Sequence, residues 1–180
     1  MTQLVVGLGN PGSEYVGSRH NAGFWVVDIL ARRLGGRWKR HRLTSLAKVE
    51  WEGLPLLLAK PATYMNLSGS AVVRLLREFA LDLSQVILVH DDIDLPVGKV
   101  RTKQKGGHGG HHGVQSVIEA LGSQAFQRVK IGVGRPETKE AVVDYLLVPF
   151  SGEERSALDA AVERAAEIVL TLVKGHAKEA

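Results

Sequence analysis

Short apolar runs alternate with longer stretches in which apolar side chains recur at helical spacing, and this alternation sets the expected fold. Runs at Gln3–Leu8, Ala47–Trp51, Leu56–Ala59, Gln85–His90, Val100–Lys103 and Arg128–Val133 are bounded by Gly, Pro or Asp, as buried strands are. Between them, Ala22–Leu34 puts Phe24, Val27, Leu30, Ala31 and Leu34 on one helical face, and Leu67–Phe79 does the same with Val72, Leu75, Leu76 and Phe79. Val114, Val117, Ile118 and Leu121 keep helical spacing, with Gly122 placed as a C-terminal stop. A last helix follows Ser151-Gly152-Glu153-Glu154, a capping-box pattern with Ser151 at the N-cap. Its stripe runs through Leu158, Ala161, Val162, Ala165, Ile168, Val169 and Leu172. Strands alternating with helices predict an α/β protein: a three-layer sandwich with a twisted β-sheet flanked by helices. A turn at Leu54-Pro55 between adjacent strands makes that sheet mixed.

Composition narrows the function classes. A chain of 180 residues without repeat or linker is expected to form a single domain over residues 1–180. It has no cysteine, which removes thiol nucleophiles, thiolate metal ligands and disulfides, and fits a reducing compartment. No basic-then-apolar leader precedes Leu4 and no apolar run reaches the length of a membrane span, so a cytoplasmic protein with no membrane partner is expected. The net charge of +4 matters less than its placement. Arg32, Arg33, Arg37, Lys39, Arg40 and Arg42 crowd one segment around His41, and Arg101, Lys103 and Lys105 alternate along a strand. Each run alone reads as solvated surface, but together they suggest a polyanionic partner.

The candidate chemistry lies beyond strand ends, where α/β sheets gather functional groups. Gly7-Leu8-Gly9-Asn10-Pro11-Gly12 matches a dinucleotide fingerprint, yet Pro11-Gly12-Ser13 reads as a turn, and helical periodicity starts only near Asn21. The next strand ends in Lys60-Pro61 without the carboxylate a ribose needs. Glycines there allow sharp turning and close approach to a ligand, with Asn10 and His20 at the mouth of the strand. A second loop carries Tyr64-Met65-Asn66, with Asn66 suited to a helix N-cap, and a third carries His90-Asp91-Asp92-Ile93-Asp94. A glycine-rich fourth holds His108, His111 and His112 before a helix, a nest of N–H groups suited to an anion. The Asp and His loops leave a metal-dependent phosphohydrolase as an alternative, but no ligand pair on a regular element supports it, and Asp94 before Leu95-Pro96 reads as turn chemistry. Without metal, a histidine held by a carboxylate supplies a general base near neutral pH, and an asparagine amide supplies an oxyanion donor. No Gly-x-Ser-x-Gly elbow is present, so water is the expected nucleophile for an ester.

The motifs Gly7-Leu-Gly-Asn-Pro-Gly-x-x-Tyr15, Arg19-His-Asn-Ala-Gly23, Thr63-Tyr-Met-Asn-Leu-Ser-Gly69, His90-Asp-Asp-Ile-Asp-Leu-Pro96 and Gly106-Gly-His-Gly-Gly-His111 together resemble the bacterial peptidyl-tRNA hydrolase family. The resemblance covers most of the chain in the family's order. It implies a monomeric, metal- and cofactor-independent α/β enzyme that cleaves the ester between a peptide and the 3′-terminal ribose of tRNA, returning tRNA to translation. It assigns His20 as catalytic base, Asp91 as its orienting carboxylate, and Asn10 and Asn66 as amides at the scissile region. Met65 would line the peptide channel, Tyr15 would sit near the 3′ adenosine, and Arg101 and Lys103, the latter the closer match, would meet tRNA phosphate. One departure stands out: the family usually has asparagine after Gly109-Gly110-His111, where this chain has His112. A titratable ring of different shape therefore takes a substrate-anchoring place. Plant splicing factors share the fold and bind a protein instead of turning over substrate, so a non-catalytic, splicing-factor-like binding role is the alternative.

Overall fold

The computed structural model describes residues 1–147, 149–150 and 152–179. The most apolar runs become the centre of one seven-stranded sheet. There β1 (Gln3–Gly7) pairs in parallel with β4 (Leu54–Pro61) on one side and β5 (Val86–Asp92) on the other, and β5 pairs in parallel with β7 (Gln127–Gly132). Antiparallel β3 (Thr44–Trp51) and β2 (Lys39–His41) extend one edge, and antiparallel β6 (Val100–Lys103) closes the other. The order is therefore β2-β3-β4-β1-β5-β7-β6, the mixed sheet expected from the sequence.

The period-two alternation of the central strands divides the core. Val5, Ile87, Val89 and Val129 face α1 (Ala22–Arg33) and the long α5 (Gly152–Glu179). Leu4, Val6, Val86 and Leu88 face α2 (Ser68–Glu78) and α3 (His112–Leu121). A fully buried aliphatic side chain contributes about 1.5–3 kcal/mol, more than the roughly 1 kcal/mol a helical glycine costs. Packing therefore tolerates Gly23 and Gly69 in helical first turns, and both are needed there for another reason. A Cβ on Gly23 would lie 2.4 Å from the Val89 carbonyl oxygen, and one on Gly69 would lie 2.1 Å from that of Ser116. Gly7 faces Gly23 just as closely, at 2.3 Å from its carbonyl oxygen. The opening glycines expected to approach a ligand instead let α1 rest directly on β1 and β5.

Other expectations shift locally. The β3–β4 turn is Glu52-Gly53, with both residues at positive φ, and Leu54 and Pro55 already belong to β4. Part of the basic run Arg32–Arg42 is edge strand β2, across the whole sheet from β6, so the two basic segments do not form one stripe. Arg33 is moreover engaged by Glu163 and Glu167 of α5. A short helix α4 (Val142–Leu147) was not signalled by periodicity. The proposed N-cap Ser151 lies outside the described residues. No helix among those described is long and apolar enough to cross a membrane.

Candidate active site

Parallel strands bring the C-terminal ends of β1, β4 and β5 to one edge of the sheet, and their loops diverge there because α1 covers one face and α2 the other. The cleft so formed is lined by Asn10, His20, Met65, Asn66, Asp91, His112 and Lys103. Asn10 is buried and its orientation is fixed. Asn21 clamps its backbone, accepting from Asn10 N–H at 2.8 Å and donating to Asn10 C=O at 3.0 Å. The Met65 backbone N–H donates to Asn10 Oδ1 at 2.8 Å. That bond commits Oδ1 as acceptor and leaves Nδ2 as the amide's remaining donor.

His20 sits in a 3-10 turn (Arg19–Asn21) directly ahead of α1, so the close seating of α1 carries it over the end of β5. Its Nδ1 lies 2.9 and 2.8 Å from the two oxygens of Asp91, which is 1% exposed. His111 meets the same carboxylate, Nε2 to Oδ1 at 2.9 Å. The other His111 nitrogen caps α3, accepting from the backbone N–H groups of Gly113 and Val114. An acceptor at Nδ1 fixes the proton on Nε2, so Asp91 receives N–H donors from two imidazoles. Burial would raise the Asp91 pKa, but the charge of His20 and the hydrogen bonds from both imidazoles hold it below the ordinary 3.8. Burial likewise opposes charging His20, and the charge and hydrogen bond of Asp91 outweigh it, raising the imidazole above 6.5. His90 behaves oppositely: burial and the neighbouring His111 lower it to about 3, so it stays neutral, donating from Nδ1 to the Asp91 carbonyl at 2.7 Å. With Nδ1 bound to Asp91, His20 Nε2 has no protein partner among the described residues and is free to act as a base.

His20, Asp91 and His111 are also the one trio of ligand types close enough to hold a metal ion among the described residues. Each of those groups is already donor or acceptor to another within the trio, and His111 is further committed to capping α3.

The remaining site expectations divide. Met65 is buried, its sulfur seated where a Cβ on Gly113 would come within 2.4 Å. Asn66 reaches the cleft but is not a helix N-cap. It lies in the 3-10 turn Met65–Leu67, and Leu67 occupies the cap position of α2 without a side-chain bond. The 3-10 turn runs straight into the helix, so the cap position falls on its last residue, Leu67. His112 opens α3 and is exposed in the cleft wall. Tyr15, half-buried in a 3-10 turn, and Arg101, exposed on β6, do not line the cleft. The β6–β7 register sets Arg101 opposite Lys130 and Lys103 opposite Arg128, so four basic side chains share one face of this edge. Lys130 is paired with Asp92 at 3.0 Å. Sequence reasoning passed over His111 and Asn21, though both stand inside quoted motifs. Their spacing signals nothing, because Asp91 and Asn10 reach them only through the fold. It also passed over α4, whose Val142, Val143, Leu146 and Leu147 form an apolar wall of the cleft.

Comparison with known proteins gives matches over nearly the whole chain. A family model described as peptidyl-tRNA hydrolase matches residues 4–180. The chain is 48% identical over 177 residues to the peptidyl-tRNA hydrolase of Carboxydothermus hydrogenoformans, covering 97% of this chain and 94% of that one. It is 45% identical over 170 residues to that of Rhodococcus jostii, covering 93% and 90%. The crystal structure of peptidyl-tRNA hydrolase from Acinetobacter baumannii superposes with a TM-score of 0.93 at 37% identity, covering 98% of this chain and 91% of that one.

Proposed function

Since the chain belongs to the peptidyl-tRNA hydrolase family and hydrolyses the ester of peptidyl-tRNA, we propose that His20, Asp91 and Asn10 carry out that hydrolysis. The observation that carries this reading is the buried Asp91 carboxylate against His20 Nδ1, with Nε2 unpartnered among the described residues in the cleft that Asn10 also lines. His20 Nε2 takes a proton from water as its oxygen attacks the ester carbonyl, and Asp91 stabilises the imidazolium. Asn10 Nδ2 donates to the developing oxyanion. When the tetrahedral intermediate collapses, the carbon–oxygen bond to the ribose breaks and the imidazolium returns its proton to the departing ribose oxygen. The products are tRNA with a free hydroxyl and a peptide with a free carboxylate. Incubation of the purified protein with peptidyl-tRNA, with and without chelator, is expected to release both in either case. Failure to release them would remove the reading.

Asn66 and His112 are proposed as polar contacts to the substrate end, Met65 and the α4 wall as the apolar side facing the peptide, and Tyr15 as a contact near the terminal nucleotide. A cytoplasmic monomer needing no cofactor fits these parts. The relatives' names give no support to a non-catalytic, splicing-factor-like role.

Two predictions arise here. Asn10→Asp keeps an acceptor for Met65 N–H but removes the amide donor and sets a negative charge where an oxyanion develops. Its kcat is expected to fall by about a hundredfold or more. Steady-state kinetics check this, and a kcat within threefold of wild type would exclude Asn10 as the oxyanion donor. Lys103→Ala is expected to weaken peptidyl-tRNA binding and flatten the slope of log Kd against log salt by about 0.7 to 0.9 unit, one phosphate's share of counterion release. Turnover at saturation should change little, because other loops build the catalytic centre. An unchanged slope with a collapsed kcat would place Lys103 in the chemistry instead.

A further inference from the structure

Among the described residues Arg128 is the largest fully buried side chain, at 1% exposure, and no carboxylate among them pairs with it. Its guanidinium donates from Nη1 to the Gly107 carbonyl at 2.7 Å, and from Nη2 to the carbonyls of Gly106 and, at 3.1 Å, Gln124. It also lies 4.5 Å from the centre of the Phe126 ring. A buried cation with no counter-ion is costly, so both Nη groups meet fixed carbonyl oxygens in place of water, while the buried Nε has no partner among the described residues. The planar fork reaches the three carbonyls from two nitrogens held at a fixed spacing.

The carbonyls it holds belong to the shelf under Lys103. Gly106 stands at φ +138, and a Cβ there would lie 2.3 Å from Lys103 Cε and 2.6 Å from Nζ. The charged end of Lys103 therefore rests on a bare α-carbon whose own carbonyl Arg128 fixes. The two basic residues are cross-strand partners in the β6–β7 ladder, and Lys103 lines the cleft. A lysine head on a four-carbon stem loses rotamer freedom when it meets a phosphate, and a seat that already confines it lowers that cost.

We infer that Arg128 is a positioning residue for RNA docking: by fixing the Gly106–Gly107 shelf it sets where the Lys103 ammonium meets a phosphate of the substrate. The inference rests on the reading of Lys103 as a phosphate contact. Arg128→Lys keeps a cation in the slot, but one nitrogen replaces the two that approach the three carbonyls from different positions. Gly106→Ala reaches the same end by another route, pushing Lys103 off its seat while leaving Arg128 intact. Each variant, titrated with peptidyl-tRNA across a salt series, is expected to bind about threefold more weakly near physiological salt and to flatten the salt slope by somewhat less than one unit. KM should rise by the same factor with kcat held. Adding Lys103→Ala to Arg128→Lys should flatten the slope no further.

The outcomes separate the two readings. If Lys103→Ala flattens the slope while Arg128→Lys and Gly106→Ala leave it at the wild-type value, the role of Arg128 is overturned and that of Lys103 stands. Full additivity of Arg128→Lys and Lys103→Ala would also overturn it, because the arginine would then act on RNA separately. A wild-type slope in Lys103→Ala overturns the phosphate contact and the inference with it. Should Arg128→Lys fail to fold, Gly106→Ala alone and combined with Lys103→Ala decides the matter by the same slopes.

Discussion

Replacing His20 by alanine is expected to lower single-turnover cleavage of peptidyl-tRNA by about a thousandfold while leaving the Kd for the substrate within about twofold. A general base acts on water as the transition state forms and adds little to the binding of a long polyanion, so its loss falls on kcat. The geometry sharpens this expectation. His20 is buried and held through Nδ1 to Asp91, so its Nε2 is presented to the cleft in a fixed orientation. His111 and His90, the other imidazoles against Asp91, cannot substitute. His111 already uses Nδ1 to cap α3 and Nε2 to meet Asp91, while His90 spends Nδ1 on a backbone carbonyl and is buried. Rapid-quench kinetics with enzyme in excess would measure the step directly. Retained fast hydrolysis by the alanine variant would remove His20 from the mechanism.

Much of this site was legible because its residues stand at the ends of strongly patterned strands. Leu4–Leu8 and Val86–Val89 are unbroken apolar runs, so the polar groups that follow them, Asn10 and Asp91, had to lie at a sheet edge. His20 was legible as the titratable group just before a helical pattern. What the sequence concealed depends on cross-chain geometry. Asn21 matters through the backbone of Asn10, and His111 through a carboxylate twenty positions earlier in the chain. Strand β2 was hidden because Lys39, Arg40 and His41 carry no apolar alternation. An edge strand needs none, since charge there guards against edge-to-edge pairing. Helix α4 is too short for a periodicity to register. Arg128 read as the first residue of an apolar strand, and nothing local marks it as a buried guanidinium bonded to a loop 21 and 22 residues away.

Asp91→Asn should produce the second-largest loss, about several hundredfold to a thousandfold in kcat and somewhat smaller than for His20→Ala. The reason is a proton-counting conflict. His111 accepts two backbone N–H bonds at Nδ1, so its Nε2 must remain a donor, and the oxygen of an asparagine at position 91 would turn toward it. The amide nitrogen then faces His20 Nδ1 and, being a donor itself, favours the tautomer with the proton on Nε2. The base lone pair would point into the protein instead of the cleft. The pH profile should move as well. In the wild type Asp91 raises the His20 pKa, so activity falls as pH drops through a value above 6.5. Without the negative charge only burial remains, which lowers that pKa, and the acid limb of what activity survives should shift to lower pH. Stability follows by linkage. The depressed Asp91 contributes stability above its unfolded value near 3.8 that is lost as pH falls toward its folded value, and the raised His20 contributes stability below 6.5 that is lost as pH rises through its folded value. Denaturant titrations of Asp91→Asn should therefore lose the Asp91 dependence and reverse the His20 one, with stability falling as pH drops below 6.5. Asp92→Asn is the control: Asp92 pairs with Lys130 and accepts the Asp94 backbone N–H, so its loss should leave the acid limb in place. A displaced limb in Asp92→Asn with a normal one in Asp91→Asn would move the orienting carboxylate one residue along the chain.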